Sequence, residues 1–274
     1  MSEAPEGSRV ASVDDVDRVR LVTFRRPEAR NAMDTALYGA VAEGLDDAAT
    51  RDDVAVIVLT GEGTAYCAGQ DLAEMGRLGN EADRDTPTQV EVEEHGFRRF
   101  IKAIETFPKP IVAAVNGVAV GVGTTMLPYC DIVLVSETAR FRLPFAPLGV
   151  VPEAGSSYTL PIVMGWRAAA HALFTAEWFD AQAALDCGLA SRVCAPESLL
   201  DEAMAVAHAI AKMPVVSLVE TKRLLLVTRI DASRAARARE EDVFARLTGA
   251  PANREAIAAF LEKREPDFTN LPAE

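Results

Sequence analysis

The stretch IVAAVNGVAVGVGTT, residues 111–125, decides the fold class of this chain. Residues 111–116 are almost entirely apolar, which is typical of a strand that is covered on both faces. Three glycines then interrupt the pattern, and a short apolar helix is predicted to run to Tyr129. A second strand is predicted at 131–136, so this stretch indicates one β-α-β unit of an α/β core.

The same alternation of elements extends toward the N-terminus. Residues 19–24 and 54–60 are apolar runs typical of strands. The spacing of apolar residues between them predicts a helix from Asp34, its N-cap, to Thr50. Two polar segments complete this half of the chain: residues 1–15 are interpreted as a flexible tail, and residues 76–89 as a mobile loop or lid.

The C-terminal part of the chain is predicted to be mainly helical. We divide the chain into the tail (1–15), an α/β core (16–200) and a helical region (201–274). The charge-mixed segment 234–241 is interpreted as a solvated helix face. Helices are predicted at 91–107, 153–163, 166–175, 180–187, 198–212, 214–229, 233–247 and 253–264.

The overall charge limits the possible partners. The chain has 28 Lys and Arg against 41 Asp and Glu, a net charge of −13. Nucleic acid is not expected as a partner, because phosphate binding needs a basic face, and no run of apolar residues is long enough to span a membrane. No pair of the four cysteines has C-x-x-C spacing and no histidine cluster suggests a metal, so free thiols in a reducing cytoplasm are expected.

Two glycine-rich turns are the first candidate site. Residues 65–72 (AYCAGQDL) and 116–125 (NGVAVGVGTT) each follow a buried strand. Successive N–H groups at such a strand end are unpaired and can face an anion, and two turns together can hold an oxygen that becomes negative during a reaction. Neither turn is a complete dinucleotide or phosphate-loop motif. Tight turns built from small residues remain the alternative reading.

Glu153 is the second candidate. It is a single carboxylate in the apolar and small-residue stretch 148–157 (LGVVPEAGSS), and Pro152 at the first helical position would place it in the first turn of a helix. One reading is a helix-start glutamate stabilised by the macrodipole. The other is a partly desolvated general base. Burial raises a carboxyl pKa and a helix N-terminus lowers it, so the direction of the shift stays open at this point.

Four short motifs occur in order along the chain: Arg26-Pro27…Asn31-Ala32, Ala68-Gly69-Gln70-Asp71-Leu72, Pro108-x-Pro110-x-x-x-Ala114-x-Asn116-Gly117 and Cys130-Asp131. Taken together, they resemble the crotonase, or enoyl-CoA hydratase/isomerase, superfamily. The resemblance covers nearly the whole chain and implies a spiral of repeated β-β-α units with an acyl-CoA ligand. The helical C-terminal region would then be an oligomerisation region that builds homotrimers, often paired into hexamers.

The resemblance also implies where the ligand lies. The thioester oxygen is expected to accept hydrogen bonds from the backbone N–H groups of Ala68 and, by position, Val122. Coenzyme A enters as part of the substrate, so no resident cofactor and no metal is expected. Contacts with CoA or substrate are expected from Arg26, Arg30, Ala32, Ala68, Gly69, Gln70, Asp71, Leu72, Gly121 and Phe145, with Arg25, Lys222 and Arg223 as further candidates for the phosphates.

Two positions separate this chain from the hydratases of the superfamily. Hydratases carry two glutamates, and alignment through Cys130-Asp131 puts Thr125 and Phe145 at those positions here. Neither side chain has a carboxylate, so efficient hydration of 2-enoyl-CoA is not expected. Residues 145–160 instead resemble the Δ3,Δ2-enoyl-CoA isomerase branch, whose catalytic base matches Glu153.

The resemblance leaves two alternatives to an isomerase. The chain is a non-catalytic acyl-CoA-binding homologue if the pocket is intact but holds no working base. It catalyses a different enolate reaction of a CoA thioester if other acids act around the same turns, and Asp71 and Glu74 are the candidates for that role. The isomerase is favoured because one base on one face of the substrate is enough for its chemistry.

Overall fold

Two β-sheets organise the described part of the protein. The computed structural model describes residues 10–71, 74 and 96–271. Within these residues the strands, in chain order, are β1 (Ala11–Val16), β2 (Val19–Phe24), β3 (Val56–Gly61), β4 (Ala65–Cys67), β5 (Ile111–Val115), β6 (Val118–Val120), β7 (Ile132–Ser136), β8 (Arg140–Arg142), β9 (Phe179–Asp180) and β10 (Arg192–Cys194).

The larger sheet has the strand order β1-β2-β3-β5-β7-β10. β1 pairs with β2 in antiparallel fashion, and every other neighbouring pair is parallel. All six residues of β3 are buried, as the continuous apolar run predicted, because helices or strands cover both faces of a parallel sheet. Ile57 and Leu59 belong to one core cluster, whereas Val56 and Val58 face a second one.

The smaller sheet has the order β4-β6-β8-β9, and its first three strands are parallel. Each of these strands follows a strand of the larger sheet directly: β3 leads into β4, β5 into β6 and β7 into β8. The chain therefore makes repeated two-strand turns of a spiral, and the predicted α/β fold is confirmed. The carboxyl ends of β4, β6 and β8 lie side by side, which is where ligands bind in parallel sheets.

Helices connect the turns and form the C-terminal third. Asp34 is the N-cap of the first helix, accepting a hydrogen bond from the Leu37 N–H at 2.8 Å, as predicted. The mainly helical character predicted for the C-terminal region is also confirmed over residues 201–271. The helices of the described residues are α1 (Thr35–Thr50), α2 (Gly96–Thr106), α3 (Val122–Thr125), α4 (Ser156–Met164), α5 (Trp166–Thr175), α6 (Ala181–Asp186), α7 (Leu199–Ala211), α8 (Val215–Leu226), α9 (Ile230–Leu247) and α10 (Pro251–Glu262).

The predicted boundary of the N-terminal tail was wrong. Ala11–Val16 form the edge strand β1, with Ala11 opposite Phe24 in the register. The acidic residues of this segment suggested a solvated tail, so its sequence did not predict a strand. In the structure Asp15 is not free in solvent, because it pairs with the buried Arg20 at 2.7 Å. The predicted lid at 76–89 lies outside the described residues.

The predicted start of the helix at 153 was also wrong. α4 begins at Ser156 because Ala154 and Gly155 have φ angles of 60° and 71°, a left-handed conformation that no right-handed helix accommodates. The interpretation of 234–241 as a solvated face fails in part, since Ala236 and Glu240 on α9 are buried.

Candidate active site

Three loops meet at the carboxyl ends of the parallel strands of the smaller sheet. Residues 68–71 follow β4, Gly121 and α3 follow β6, and the segment from Leu143 to Gly155 follows β8. Because β4, β6 and β8 are neighbours, the topology alone brings the two glycine-rich turns next to each other. The same topology brings the segment that carries Glu153 to this edge of the sheet.

Glycines allow the two turns to touch. A methyl group added to Gly123 would lie 2.4 Å from the carbonyl oxygen of Cys67, which no side chain tolerates. One added to Gly69 would lie 3.0 Å from the carbonyl oxygen of Val120. Gly69 and Gly121 also have φ angles of 98° and 52°, which favour glycine. The small residues that the sequence singled out are therefore required for backbone contact between the turns.

Arg26 and Asn31 belong to a loop that braces the first turn. The buried Asn31 amide donates to the carbonyl oxygens of Glu62 and Ala65, at 2.9 and 2.8 Å. The Arg26 guanidinium pairs with Asp71 at 3.0 Å and also donates to the Ala32 carbonyl. The loop at residues 26–34 is thereby tied to both sides of β4, so these motif residues fix the turn.

Ala68 was the wrong choice of oxyanion donor. Its backbone N–H donates to the carbonyl oxygen of Arg30 at 3.0 Å, so it is already paired. Gln70 forms a parallel bridge with Met33, in which the N–H of Met33 donates to Gly69 and that of Asp71 donates to Met33. Within the described residues no acceptor pairs with the N–H of Gln70. The N–H of Gly69 hydrogen-bonds the Cys67 sulfur, so the donor of this turn that remains is Gln70, held through its side chain by the Tyr38 hydroxyl at 2.7 Å.

Val122 fits the role that the resemblance gave it. It is the first residue of α3, where a backbone N–H has no acceptor within the helix. The described residues outside the helix offer none either, whereas the preceding N–H, that of Gly121, donates to Arg142 at 3.0 Å. Gln70 and Val122 thus supply one unpaired N–H from each of the two touching turns.

Glu153 lies between β8 and α4, beside the first turn. Its charge is close enough to add, after burial, to the raised pKa values of Tyr38 and Cys67. The residue is half-buried, and no hydrogen-bond donor or cation of the described residues pairs with its carboxylate. Burial, and then the nearby charge of Glu240, raise the pKa of Glu153 to about 8. Of the two opposing effects that the sequence left open, burial dominates, because Glu153 precedes the helix and gains little from its dipole.

The two positions that distinguish hydratases are buried. Thr125 is fully buried, and its hydroxyl has no hydrogen-bond partner among the described residues. Phe145 is 5% exposed and belongs to the main hydrophobic core. Neither side chain exchanges protons as a carboxylate does, so Glu153 is the acid-base candidate that this edge of the sheet retains. The neighbouring Cys67 stays protonated, since burial raises its pKa to about 12.

The remaining predicted contacts divide into structural and accessible residues. Arg26 and Asp71 are engaged with each other, and Glu74 accepts a hydrogen bond from the Thr35 N–H at 2.9 Å. The side chain of Arg30 is exposed and has no ion-pair partner among the described residues, so it is available for a phosphate. Ala32 is half-buried beside it, and Leu72 lies outside the described residues.

The candidate phosphate contacts from the C-terminal region were partly wrong. Lys222 is buried, pairs with Asp131 at 2.9 Å and donates to the Lys109 carbonyl at 2.7 Å. It therefore fastens α8 to the core and is not available to a ligand. Arg223 is exposed but pairs with Glu220 one helical turn away, and Arg25 pairs with Glu62 at 2.8 Å.

Glu240 is the residue of this site that the sequence reasoning missed. It lies on α9, is 5% exposed, and accepts hydrogen bonds from the backbone N–H groups of Gly155 and Ser157. In the sequence it sits among arginines and a second glutamate, which resembles an ordinary solvated helix. The sequence gives one local sign of this role. Glu240 lies four residues after Ala236, so both are on one face of the helix, and the structure buries both.

The comparison with protein families covers nearly all of the described chain. A family model described as enoyl-CoA hydratase/isomerase matches residues 15–271. The chain belongs to this family. The predicted resemblance to the crotonase superfamily is therefore confirmed, and the protein is an acyl-CoA-metabolising enzyme of the hydratase/isomerase family.

Family members similar to this chain differ in their reactions. The chain is 36% identical over 252 residues to 2,3-dehydroadipyl-CoA hydratase of Escherichia coli K12, covering 92% of this chain and 95% of that one. It is 31% identical over 259 residues to 1,2-epoxyphenylacetyl-CoA isomerase of the same strain, with the same coverage. A crystal structure of an enoyl-CoA hydratase/isomerase from Pseudoalteromonas atlantica T6c matches with a TM-score of 0.87 and 36% identity, covering 95% and 100%. Family membership alone leaves the reaction open.

Two searches of the described residues complete the site. No group of three or more His, Cys, Asp or Glu side chains in residues 10–71, 74 and 96–271 is arranged to hold a metal ion. Over the same residues no single helix is long and apolar enough to cross a membrane, although the bent pair α7 and α8 passes that test jointly by length and composition.

Proposed function

We propose that this enzyme isomerises 3-enoyl-CoA to trans-2-enoyl-CoA with Glu153 as its single base. The observation that carries the proposal is the environment of Glu153: a carboxylate without a hydrogen-bond donor or cation among the described residues, with a pKa raised to about 8, next to the turn that bears Gln70. A general base is most effective when its pKa lies near the working pH. Burial has moved this carboxyl into that range.

The reaction needs one proton transfer in each direction. The Glu153 carboxylate removes a proton from C2 of the 3-enoyl thioester, and the electron pair moves into a dienolate whose negative oxygen is the thioester oxygen. The N–H groups of Gln70 and Val122 donate to that oxygen. Protonated Glu153 then returns the proton to C4, and the double bond is left between C2 and C3. Such preorganised donors are often the largest contribution to the rate.

Hydration of 2-enoyl-CoA is a weaker proposal, despite the 36% identity to a hydratase. Placing a water and protonating the α-carbon is assigned to two carboxylates in the hydratases of the superfamily. Thr125 and Phe145 stand at those positions, and both are buried without a charge. A protein that keeps the donors but lacks both acids stabilises an enolate without activating water.

Two further outcomes are carried as alternatives. The similarity to 1,2-epoxyphenylacetyl-CoA isomerase fits a different rearrangement of a CoA thioester on the same N–H groups. A non-catalytic acyl-CoA-binding protein would keep the turns but not use Glu153. In every case coenzyme A enters as part of the substrate, and we propose no resident cofactor.

The deciding experiment is a spectrophotometric screen of the purified protein with 3-enoyl-CoA and 2-enoyl-CoA thioesters of several chain lengths. We expect isomerisation of the 3-enoyl substrates and its loss in Glu153→Gln, with acyl-CoA binding measured by calorimetry retained. Glu137→Gln is the matched control, because Glu137 is exposed and lies outside the site. Hydration of 2-enoyl-CoA, binding without turnover, or full isomerase activity in Glu153→Gln would each reject the proposal.

We also propose that the enzyme is a homotrimer or a dimer of trimers. Large apolar side chains are exposed on α5 and α8, including Trp166 at 74% and Phe174 at 80%. Exposed apolar clusters of this kind mark interaction surfaces, and a second copy of the chain is the partner that the family resemblance implies. Light scattering should give three or six times the subunit mass of 29.4 kDa, and a monomer would reject the proposal.

The cytoplasm is the proposed location, and the metabolism of fatty acyl-CoA the proposed context. All four cysteines, which lie in the described part of the chain, are free, and three of them are buried. Free thiols are typical of proteins in a reducing compartment. Cell fractionation tests this location, and recovery of the protein in an oxidising compartment would exclude it.

A further inference from the structure

The segment that carries Glu153 has a strained backbone. Ala154 has a φ of 60° and Gly155 a φ of 71°. A left-handed alanine costs of the order of 1 kcal/mol and persists only where its surroundings hold it in place. Two sets of contacts fix this segment, and both include side chains of α9.

The first set is the carboxylate of Glu240. One oxygen lies 2.6 Å from the backbone nitrogen of Gly155 and the other lies 2.7 Å from that of Ser157. The N–H between them, that of Ser156, donates to the carbonyl oxygen of Glu153 at 3.0 Å. Three successive N–H groups at the start of α4 are thus satisfied, two of them by one buried side chain from a distant helix.

The second set is centred on the Tyr129 hydroxyl. It donates to the carbonyl oxygen of Ala154 and lies 3.1 Å from the hydroxyl of Ser233 on α9. Ser233 in turn donates to the buried Glu105 at 3.3 Å. Ser233 and Glu240 are seven residues apart, so they lie on the same face of α9, two turns from each other. That face approaches the segment from one side.

The carboxylates of Glu240 and Glu153 also interact through their charges. After burial, the charge of Glu240 is the second cause of the raised pKa of Glu153. Burial likewise raises the pKa of Glu240 itself, against the hydrogen bonds from Ser157 and Gly155 that lower it. The other titratable or charged groups near the two carboxylates are Tyr38, Cys67, Glu105, Tyr129, Arg237 and Arg239.

We propose that Glu240 is a positioning residue for Glu153, because its carboxylate holds the backbone of residues 154–157 through hydrogen bonds to Gly155 and Ser157. Its negative charge has a second, tuning role toward the same base. The inference rests on the proposed role of Glu153. It makes α9 a part of the active site, although Glu240 is not assigned any contact with the substrate. It also predicts that substitution of Glu153 abolishes turnover, whereas substitution of Glu240 lowers kcat and shifts the pH dependence of turnover.

The test compares Glu240→Gln with Glu241→Gln. Glu241 is the next residue on α9 and pairs with Arg98 at 3.3 Å, away from the segment. In Glu240→Gln we expect the midpoint of the acid limb of kcat/KM to move to lower pH, because a nearby like charge is removed. We expect the plateau of kcat to fall roughly 10- to 100-fold, because the base is less well placed. Glu241→Gln should match the wild type in both.

A second measurement does not depend on turnover. With ¹³C-labelled glutamate, the carboxyl resonance that is missing in Glu153→Gln reports the titration of Glu153 directly. The same shift to lower pH is expected for that resonance in Glu240→Gln. An unchanged midpoint would overturn the tuning role, and an unchanged kcat plateau would overturn the positioning role. If the wild type has no isomerase activity but the resonance shifts, the proposed reaction fails while the coupling of the two carboxylates stands.

Glu240→Asp covers the case in which Glu240→Gln does not fold. Aspartate keeps the charge but withdraws it by one methylene, so the titration midpoint of Glu153 should stay near that of the wild type while kcat falls. A titration midpoint of Glu153 well below that of the wild type would contradict the proposal. Near-UV circular dichroism checks that the variants retain their tertiary structure.

Discussion

The backbone N–H of Ala68 donates to the carbonyl oxygen of Arg30 across 3.0 Å. This bond closes the loop at residues 26–34 onto the end of β4, and it removes Ala68 from the set of N–H groups that a ligand can use. Gln70, two residues later, keeps its N–H unpaired within the described residues. We therefore propose the N–H groups of Gln70 and Val122 as the oxyanion-binding donors, and that proposal is testable.

Val122→Pro should remove one of these donors. Proline lacks an N–H and is favoured at the first position of a helix, where Val122 stands. We expect kcat for 3-enoyl-CoA isomerisation to fall about 100- to 1,000-fold, as for other oxyanion-hole donors. Val122→Ala is the matched control, because it shortens the buried side chain but keeps the N–H. Equal losses in the two variants would show that packing, not the donor, is responsible.

The pH dependence of turnover follows from the raised pKa of Glu153. The base acts as the carboxylate, so kcat/KM should rise about tenfold per pH unit below about 8 and level off above it. A steady-state profile between pH 5.5 and 9.5 measures this. A limb centred near 4.5, the ordinary value for a glutamate, would mean that Glu153 is not the group that limits the rate.

The same shift predicts how stability changes with pH. A folded-state pKa of about 8 lies above the ordinary value of 4.5, so the folded protein binds this proton more tightly than the unfolded chain does. Its contribution to the free energy of unfolding is full below pH 4.5 and is lost as the pH rises to 8. Glu153→Gln mimics the protonated form at every pH. At pH 9 it should therefore raise the free energy of unfolding by about a few kcal/mol, which a higher Tm would show.

The same comparison at low pH is the control for that experiment. At pH 5 the wild type is protonated at Glu153, so Glu153→Gln should melt within a degree or two of it. Glu137→Gln should follow the wild type at both pH values, because Glu137 is exposed. A destabilised Glu153→Gln at pH 9 would contradict the raised pKa.

Lys222→Met should separate stability from ligand binding. Lys222 is buried, pairs with the partly exposed Asp131 at 2.9 Å and donates to the Lys109 carbonyl at 2.7 Å, and leaving that buried acceptor unpaired costs about 1–3 kcal/mol. We expect denaturant unfolding to show a loss of this order, while the Kd for acyl-CoA in the folded protein is unchanged. Arg223→Met, on the next residue but exposed, should change neither. A weakened Kd in Lys222→Met would restore Lys222 as a phosphate contact.

Arg30→Ala tests the remaining cation. Its side chain is exposed and unpaired within the described residues, beside the turn that holds Gln70. We expect Kd for acyl-CoA to rise about tenfold, the equivalent of about 1.4 kcal/mol, and to depend less on salt. Arg192→Ala, which breaks a surface pair with Glu202, should leave both unchanged. An unaltered salt dependence in Arg30→Ala would discard the assignment.

Local patterns in the sequence predicted most of the fold. The apolar run before Gly61 became the fully buried β3, and Asp34 caps its helix as its position suggested. Such features depend on a few neighbouring residues, so periodicity and capping chemistry reveal them. The edge strand at Ala11–Val16 was missed because its own composition is not typical of a strand. It is held by its pairing with β2, including the ion pair between Asp15 and Arg20.

The site was predictable only to the level of its segments. The sequence identified both turns and Glu153, but which N–H is unpaired depends on contacts between distant loops, as the bond from Ala68 to Arg30 shows. The role of Glu240 lay further out of reach. A glutamate among charged neighbours resembles a surface residue until the fold buries it against Gly155.

The bond between Glu240 and Gly155 joins positions 85 residues apart in the chain. At a synthesis rate of about 5–20 residues per second, roughly 4–17 s separate the emergence of the segment that carries the base from that of the residue that fixes it. Both oxyanion turns are synthesised before either of them. The hydrogen bonds that hold the backbone beside Glu153 can therefore form only after residue 240 has been synthesised, late in the production of the chain.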